Sequence, residues 1–130
     1  MKIMVGFDGS ISSSDALWVA EQHAKAFKGR IALVTSMEKG TEAQREEIET
    51  AEKDLAKEKK RLEAEGIPCQ THLLIRGMSP GEDLIEFAEE NEVEEIVIGI
   101  RRKSKVGKLV FGSTAQFVIL TAGCPVVTVK

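Results

Sequence analysis

The sequence predicts an α/β protein, a single domain built on an open five-stranded parallel sheet with helices on both faces. Five short apolar runs recur along the chain, and the first and fourth are nearly continuous, which is typical of strands covered on both faces. Four segments with helical spacing of apolar residues separate these runs. Such alternation is typical of parallel strands joined by right-handed crossovers. We expect the strand order 3-2-1-4-5, which opens a ligand crevice between the first and fourth strands.

Length, charge and cysteine spacing exclude several classes of function. The 130 residues fit one domain over residues 1–130. Eighteen Lys and Arg against 21 Asp and Glu give a net charge of −3, which argues against nucleic-acid binding over the whole surface. We find no membrane-length apolar run and no cleavable leader, so the expected location is the cytoplasm. The two cysteines match no metal spacing, and we expect reduced thiols and no metal site.

The first half of the chain contributes two strands and two helices to this prediction. The predicted elements are a strand at residues 2–7, a helix from a Ser12 cap to Gly29, a strand at residues 31–37 and a charged helix at residues 41–65. Ser12 and Asp15 form a capping-box pattern, and Gly29 is a helix stop. Asp8 follows the first strand directly, which places a carboxylate in the expected crevice, although it also suits a turn before the helix.

The second half repeats the pattern. The predicted elements are a strand at residues 68–76, a helix capped by Ser79 with Pro80 at its first position, a strand at residues 96–98, a helix at residues 115–120 and a terminal strand from Cys124 to Val129. Pro125 near the start of the terminal strand, with no covering element afterwards, is typical of an edge strand.

A basic loop at residues 100–111 is the strongest functional signal in the residues themselves. Five cations fall within eight residues, namely Arg101, Arg102, Lys103, Lys105 and Lys108. Ser113, with Gln116 three residues later, fits the N-cap of the next helix, whose backbone donors and positive dipole end attract anions. The pattern predicts a phosphate site, but it also fits a solvated surface loop. It is not a Walker-type loop, because Gly107-Lys108 is followed by Leu109.

Three motifs together resemble the universal stress protein family, over residues 2–129. The family motif G-x-x-G, nine residues and G-[ST] is matched by Gly99, Gly112 and Ser113, with Arg102 in place of the second glycine. The opening V-x-x-D-x-S pattern is matched by Val5, Asp8 and Ser10, and the closing C-P-V pattern by the terminal strand. The resemblance implies a Rossmann-like, adenine nucleotide alpha hydrolase-like fold.

The resemblance also implies a ligand, because nucleotide-binding members hold ATP between the first and fourth strands. ATP, AMP or ADP is the expected cofactor, with Mg²⁺ or Mn²⁺ as candidate metals. Carried over by position, Gly6, Phe7 and Asp8 meet the base and ribose, and Ser36 lies against the adenine. The residues expected around the phosphates are Gly99, Arg101, Arg102, Gly112, Ser113 and Thr114. The Arg102 side chain either clashes with a triphosphate or pairs with its oxygens.

Three functions remain open at this point. The first is a regulatory module that binds adenine nucleotide, and the second is a stress protein that acts only through protein–protein contacts. A slow, metal-assisted ATPase is the third, since Asp8 is the sole carboxylate expected near the phosphates. The chain lacks the aspartate that a phosphoacceptor receiver carries after its third strand. It also lacks the aromatic residues with which a flavodoxin sandwiches its flavin ring. The family also implies a homodimer that pairs the strands from Cys124 to Val129 across a two-fold axis.

Overall fold

The computed structural model describes residues 1–100 and 112–130, so the predicted basic loop, including Arg101 and Arg102, lies outside the described residues. The strands are β1 (Lys2–Gly6), β2 (Arg30–Met37), β3 (Cys69–Ile75), β4 (Glu95–Gly99) and β5 (Val126–Val129), and the α-helices are α1 (Ile11–Phe27), α2 (Arg45–Ala64), α3 (Pro80–Glu90) and α4 (Ser113–Thr121). None of these helices is both long and apolar enough to cross a membrane.

The sheet confirms the predicted fold class and strand order. Its strands run β3-β2-β1-β4-β5, and every neighbouring pair is parallel. β1 lies at the centre, with Gly6 opposite Val34 of β2 and Val5 opposite Val97 of β4. Among the described strands β5 forms one edge and β3 the other. The carboxyl ends of β1 and β4 therefore lie side by side, as a switch point requires.

Alternating side chains of the central strands build two cores. Ile3 and Val5 point toward α1 and α2, where the core cluster includes Leu17 and Leu55. Met4 points to the opposite face, and that cluster is formed with α3 and α4. Its members include Met4, Val34, Leu84, Phe87, Ile96 and Val118. Both faces of the sheet are thus covered, as the continuous apolar runs predicted.

Two predicted helix boundaries are wrong at the first helix. Ser10, not Ser12, is the N-cap of α1, because its extended backbone lets its Oγ accept from the Ser13 N–H at 3.2 Å. The helix ends at Lys28 rather than at Gly29, since Lys28 adopts a left-handed conformation with φ 53°. Its backbone N–H still bonds to the Ala24 carbonyl.

The long charged segment does not form one helix from residue 41 to residue 65. A short 3₁₀ turn at Glu42–Gln44 precedes α2, which starts at Arg45. Leu55 and Leu62 are the side chains that α2 buries. They lie two turns apart on one narrow stripe, so most of this helix faces solvent.

The remaining boundaries agree more closely with expectation. Ser79 is the N-cap of α3 and Pro80 its first residue, although the Ser79 side chain makes no capping hydrogen bond. The terminal strand begins at Val126, two residues later than expected. Its edge position and parallel pairing with β4 are as predicted.

Candidate functional site

A cleft of about 390 Å³ opens at the carboxyl ends of β1 and β4. This volume lies within the range of about 300–1,000 Å³ that is usual for small-molecule sites. Eight of the ten residues predicted to contact a ligand line it, namely Gly6, Phe7, Asp8, Ser36, Gly99, Gly112, Ser113 and Thr114. The other two, Arg101 and Arg102, lie outside the described residues. Side chains from β1, β2, β4 and the starts of α1, α3 and α4 thus meet at one place.

Gly6 and Gly99 both border the cleft, for different physical reasons. A Cβ on Gly6 would lie 3.4 Å from Leu84 Cδ1, an ordinary contact, so this glycine mainly keeps the floor of the cleft open. A Cβ on Gly99 would instead collide with the backbone carbonyl of Ser12. Gly99 is therefore required where β4 packs against the first turn of α1, whether or not a ligand is present.

Asp8 lies at the mouth of the cleft in an exposed turn. Its Oδ1 accepts from the Ser10 N–H at 2.9 Å, and Ser10 in turn caps α1. Partial burial acts to raise the pKa of Asp8, but hydrogen bonds from Ser10 and Ser13 outweigh it and hold the pKa below its usual value. The carboxylate is therefore ionised at neutral pH and available as an acceptor.

The start of α4 forms the wall opposite Asp8 and corrects one prediction. Gly112, not Ser113, is the N-cap, because Gly112 is extended and its carbonyl accepts from the Gln116 N–H at 3.0 Å. No side chain caps this end. Ser113 and Thr114 are the first helical residues and line the cleft. Their backbone N–H groups, which have no partner within the helix, and the positive end of the helix dipole suit an anion.

Phe7 contributes to the cleft differently from the prediction's simple contact with a base. Its side chain is buried in the core beneath α1 and α2. Its N–H donates to the Val34 carbonyl at 2.8 Å, and its carbonyl accepts from Thr35 Oγ1 at 2.6 Å. Phe7 therefore shapes the wall of the cleft and anchors β1 to β2.

Ser36 lies at the β2 side of the cleft and belongs to a polar network that the sequence did not reveal. Ser36 Oγ donates to Asp83 Oδ2 at 2.6 Å, and Asp83 Oδ1 accepts from Arg76 Nε at 2.5 Å. Asp83 is fully buried. Burial acts against the charge of Arg76, but its bonds to Asp83 and Glu90 raise the pKa of this guanidinium above its usual value.

Sequence reasoning also missed other residues that line the cleft. They are Ser10, Ser12, Ser13, Val34, Pro80, Leu84, Ile98 and Ala115. Ser10 had a signal, since it belongs to the V-x-x-D-x-S pattern. The apolar ones had none, because a side chain at the end of a strand or helix is indistinguishable in sequence from a core residue.

Two further cavities can be compared with the cleft. One of about 430 Å³ lies behind Asp8 and Ser36 and is acidic, with Glu46, Glu47 and Asp54 in its lining. A phosphate is disfavoured there by charge. Another of about 490 Å³ lies at the amino ends of the strands, where Lys2, Lys25, Lys28 and Arg30 are offset by Glu65 and Glu94. Open α/β sheets bind ligands at the carboxyl ends of their strands, not at the amino ends.

A metal site built by the protein alone is not found in residues 1–100 and 112–130. No group of three or more His, Cys, Asp or Glu side chains in these ranges is placed to hold an ion. Cys69 is buried, and burial raises the pKa of its thiol to about 11. Cys124 is partly buried, and burial raises its pKa as well.

Comparison with known proteins agrees with the fold. The model of the universal stress protein family matches residues 1–130. A universal stress protein of Thermus aquaticus is 31% identical, with 98% of this chain and 97% of the relative covered. The structure of a universal stress protein from Archaeoglobus fulgidus superimposes with a TM-score of 0.90 at 37% identity, covering 100% of this chain and 98% of the other.

A second structure bears on the ligand. It is a universal stress protein from Archaeoglobus fulgidus in complex with dAMP, 34% identical to this chain, with a TM-score of 0.83 and coverage of 100% of this chain and 98% of the other. The match of the family model over the whole chain, together with these relatives, identifies the molecule. The chain belongs to the universal stress protein family.

Proposed function

We propose that this protein is a regulatory module that binds an adenine nucleotide in the cleft between β1 and β4. The observation that carries the proposal is that eight predicted contact residues from four separate segments line this one cleft. The relative in complex with dAMP supports the class of ligand. The alternative, a stress protein acting only through protein–protein contacts, predicts a cleft that ignores nucleotides.

The chemistry of the lining sets the orientation of the nucleotide. The phosphate lies at the start of α4, where Ser113 and Thr114 offer hydroxyls and backbone N–H groups that have no partner within the helix. The base lies at the opposite end, against Val34, Ser36 and Leu84. The ribose lies between them, beside the Asp8 carboxylate. ATP, ADP and AMP all satisfy this arrangement, and a divalent ion such as Mg²⁺ or Mn²⁺ would enter with the phosphates rather than through a protein-built site.

Asp8 provides the most direct test of the proposed function. Asp8→Ala removes a carboxylate that accepts from the ribose hydroxyls, and such charge-assisted bonds correspond to roughly ten- to hundredfold in affinity. Because Asp8 is exposed, the fold should survive. Titration calorimetry with AMP measures the loss, and Glu52→Ala, an exposed carboxylate on α2, is the matched control. Equal AMP affinity in both variants, or no binding by the unaltered protein, would reject the proposal.

Occupancy in the purified protein separates the two functions independently. Native mass spectrometry of freshly purified protein should show copurified adenine nucleotide, or a mass increase when millimolar ATP is added. A protein that remains free of nucleotide under both conditions favours the role in protein–protein contacts.

We also propose a homodimer formed through the β5 edge. Ile96 N–H and Ile100 N–H donate to the carbonyls of Pro125 and Val129, so the backbone groups of Val126 and Thr128 point away from β4. That pattern leaves donors and acceptors for a second β5 strand. Leu120, in the last turn of α4, is 76% exposed and adds apolar surface close in sequence to this edge.

Thr128→Pro tests the dimer because it removes an outward N–H without breaking a bond to β4. Thr128→Val keeps the N–H and is the matched control. Sedimentation should show a monomer for the proline variant and a dimer for the valine variant. Dimers for both variants would place the interface elsewhere.

A further inference from the structure

A partly buried hydrogen-bonded chain connects the β2 side of the cleft with the surface. Ser36 Oγ donates to Asp83 Oδ2 at 2.6 Å, and Arg76 Nε donates to Asp83 Oδ1 at 2.5 Å. Arg76 also reaches the Asp83 backbone carbonyl at 3.2 Å and Glu90 Oε1 at 3.1 Å. We name the three side chains Ser36, Asp83 and Arg76 the relay. It joins β2, α3 and the turn after β3.

The surroundings of Asp83 suit a carboxylate that accepts hydrogen bonds. The side chain is fully buried and ion-paired with Arg76. It lies in the first turn of α3, where the helix dipole favours negative charge. An ionised carboxylate has no proton to donate, so it can only accept. In the bond between Ser36 and Asp83 the hydroxyl must therefore be the donor.

This assignment decides what Ser36 can offer to a ligand. A serine hydroxyl has one proton and two lone pairs, and its proton is already committed to Asp83. Only the lone pairs remain for the cleft, so Ser36 acts there as an acceptor. Its neighbours in this part of the lining, Val34 and Leu84, are apolar. A ligand group that meets Ser36 is favoured when it carries a donor and disfavoured when it presents another acceptor.

We propose that the relay makes Ser36 a specificity determinant that selects purine bases with a 6-amino group over those with a 6-oxo group. This inference depends on the proposed function, because it requires the base of the nucleotide to lie at the β2 side of the cleft. The 6-amino group of adenine donates to Ser36. The 6-oxo group of hypoxanthine turns an acceptor toward an acceptor and leaves the lone pairs of Ser36 without a donor.

Arg76 and Asp83 are positioning residues in this proposal, because neither lines the cleft. Asp83 orients the hydroxyl proton, and Arg76 holds the Asp83 carboxylate in place through an ion pair. Asparagine at position 83 changes the direction of the bond, since its amide can donate to Ser36 and release the hydroxyl proton toward the ligand. Asp83→Asn should therefore alter the preference between bases, and not only the affinity.

Titration calorimetry with AMP and with IMP tests the relay, because these nucleotides differ only in the base. We expect the unaltered protein to bind AMP about tenfold or more tightly than IMP. Ser36→Ala should weaken AMP binding with little change for IMP, so that the ratio approaches one. Asp83→Asn should lower or invert the ratio. Ser14→Ala, an exposed hydroxyl on α1 outside the cleft, is the control and should keep the original ratio.

Each outcome separates the relay from the proposed function. If AMP binds but the unaltered protein does not discriminate, or if Ser36→Ala keeps the ratio, the relay is rejected while nucleotide binding stands. If neither nucleotide binds, both are rejected. A purely structural role for the relay would weaken AMP and IMP equally. Circular dichroism checks that each variant is folded, and Ser36→Ala alone decides the question if Asp83→Asn does not fold.

Discussion

Two buried carboxylates of this protein are held by arginine in nearly the same way, one beside the cleft and one far from it. Asp83 of α3 is fully buried and pairs with Arg76 at 2.5 Å. Glu21 of α1 is 3% exposed and pairs with Arg61 of α2 at 2.5 Å. The bond to Glu21 also raises the pKa of Arg61 above its usual value. In both pairs the carboxylate is buried and the arginine is partly exposed.

The third partner distinguishes the two pairs. Asp83 accepts from Ser36, a hydroxyl that lines the cleft. Arg61 instead continues to Glu58 on its own helix, at 2.7 Å. The first pair therefore holds a side chain of the cleft, whereas the second ties α1 to α2. A buried ion pair alone does not mark a site, and the group that it orients has to be identified.

Removing the arginines should have the largest effect on the free energy of unfolding. The loss should differ between the two pairs. Arg76→Met leaves the Asp83 carboxylate buried without its cation, which we expect to cost about 3 kcal/mol of unfolding free energy. Arg61→Met should cost less, about 2 kcal/mol, because Arg61 is 44% exposed and better screened. Urea unfolding measures both. A larger loss for Arg61→Met would contradict the view that Asp83 is the more deeply buried charge.

The two cleft glycines extend the same comparison between scaffold and site. Gly99→Ala forces a Cβ against the Ser12 carbonyl, and such overpacking should cost roughly 2 kcal/mol. Gly6→Ala meets Leu84 and Ile98 at ordinary contact distances, so stability should change little while the cleft becomes narrower. Thermal unfolding with and without AMP separates the effects. The comparison fails if Gly6→Ala is the less stable variant.

Lowering the pH should have the smallest effect on the free energy of unfolding. We expect that effect to arise on the face of the sheet that packs against α3. His72 of β3 packs its ring on Phe87 at a centroid distance of 4.7 Å, and burial together with the nearby Lys2 lowers its pKa below 6.5. Since the folded pKa is the lower one, the neutral ring stabilises the fold above pH 6.5. That stability is lost as the pH falls through the folded pKa.

Unfolding in urea across this pH range measures the slope for the unaltered protein and for His72→Leu. The unfolding free energy of His72→Leu should fall less on the acid side than that of the unaltered protein. Because His23 is present in both proteins, the difference between the two slopes isolates His72. Parallel slopes would show that His72 does not contribute.

The fold could be predicted largely because its signals are local and repeated. Continuous apolar runs identified the central strands, since both faces of β1 and β4 are covered. The edge position of β5 followed from Pro125. Helix starts were less accurate, because an extended backbone at Ser10 or Gly112 decides the cap, and neighbouring serines offered equally good patterns.

The site could be predicted only in part. Motif positions brought Asp8, Gly99 and Ser113 to one cleft, because the carboxyl ends of neighbouring parallel strands meet there. The relay could not be found in this way. Asp83 follows Glu82 in a first helical turn, where acidic residues are usual and solvated, and its bond to Ser36 spans 47 positions of the chain. No periodicity records such a contact.

The central claim is that the nucleotide occupies the cleft between β1 and β4, and an AMP titration followed by amide NMR of the ¹⁵N-labelled protein tests it most directly. The account predicts the largest shift changes at cleft residues, namely Gly6, Asp8, Ser36, Gly99 and Ser113, with little change at Lys28 and Glu94 beside the cavity at the amino ends of the strands. Changes concentrated at Lys28 and Glu94, or none at millimolar AMP, would contradict it.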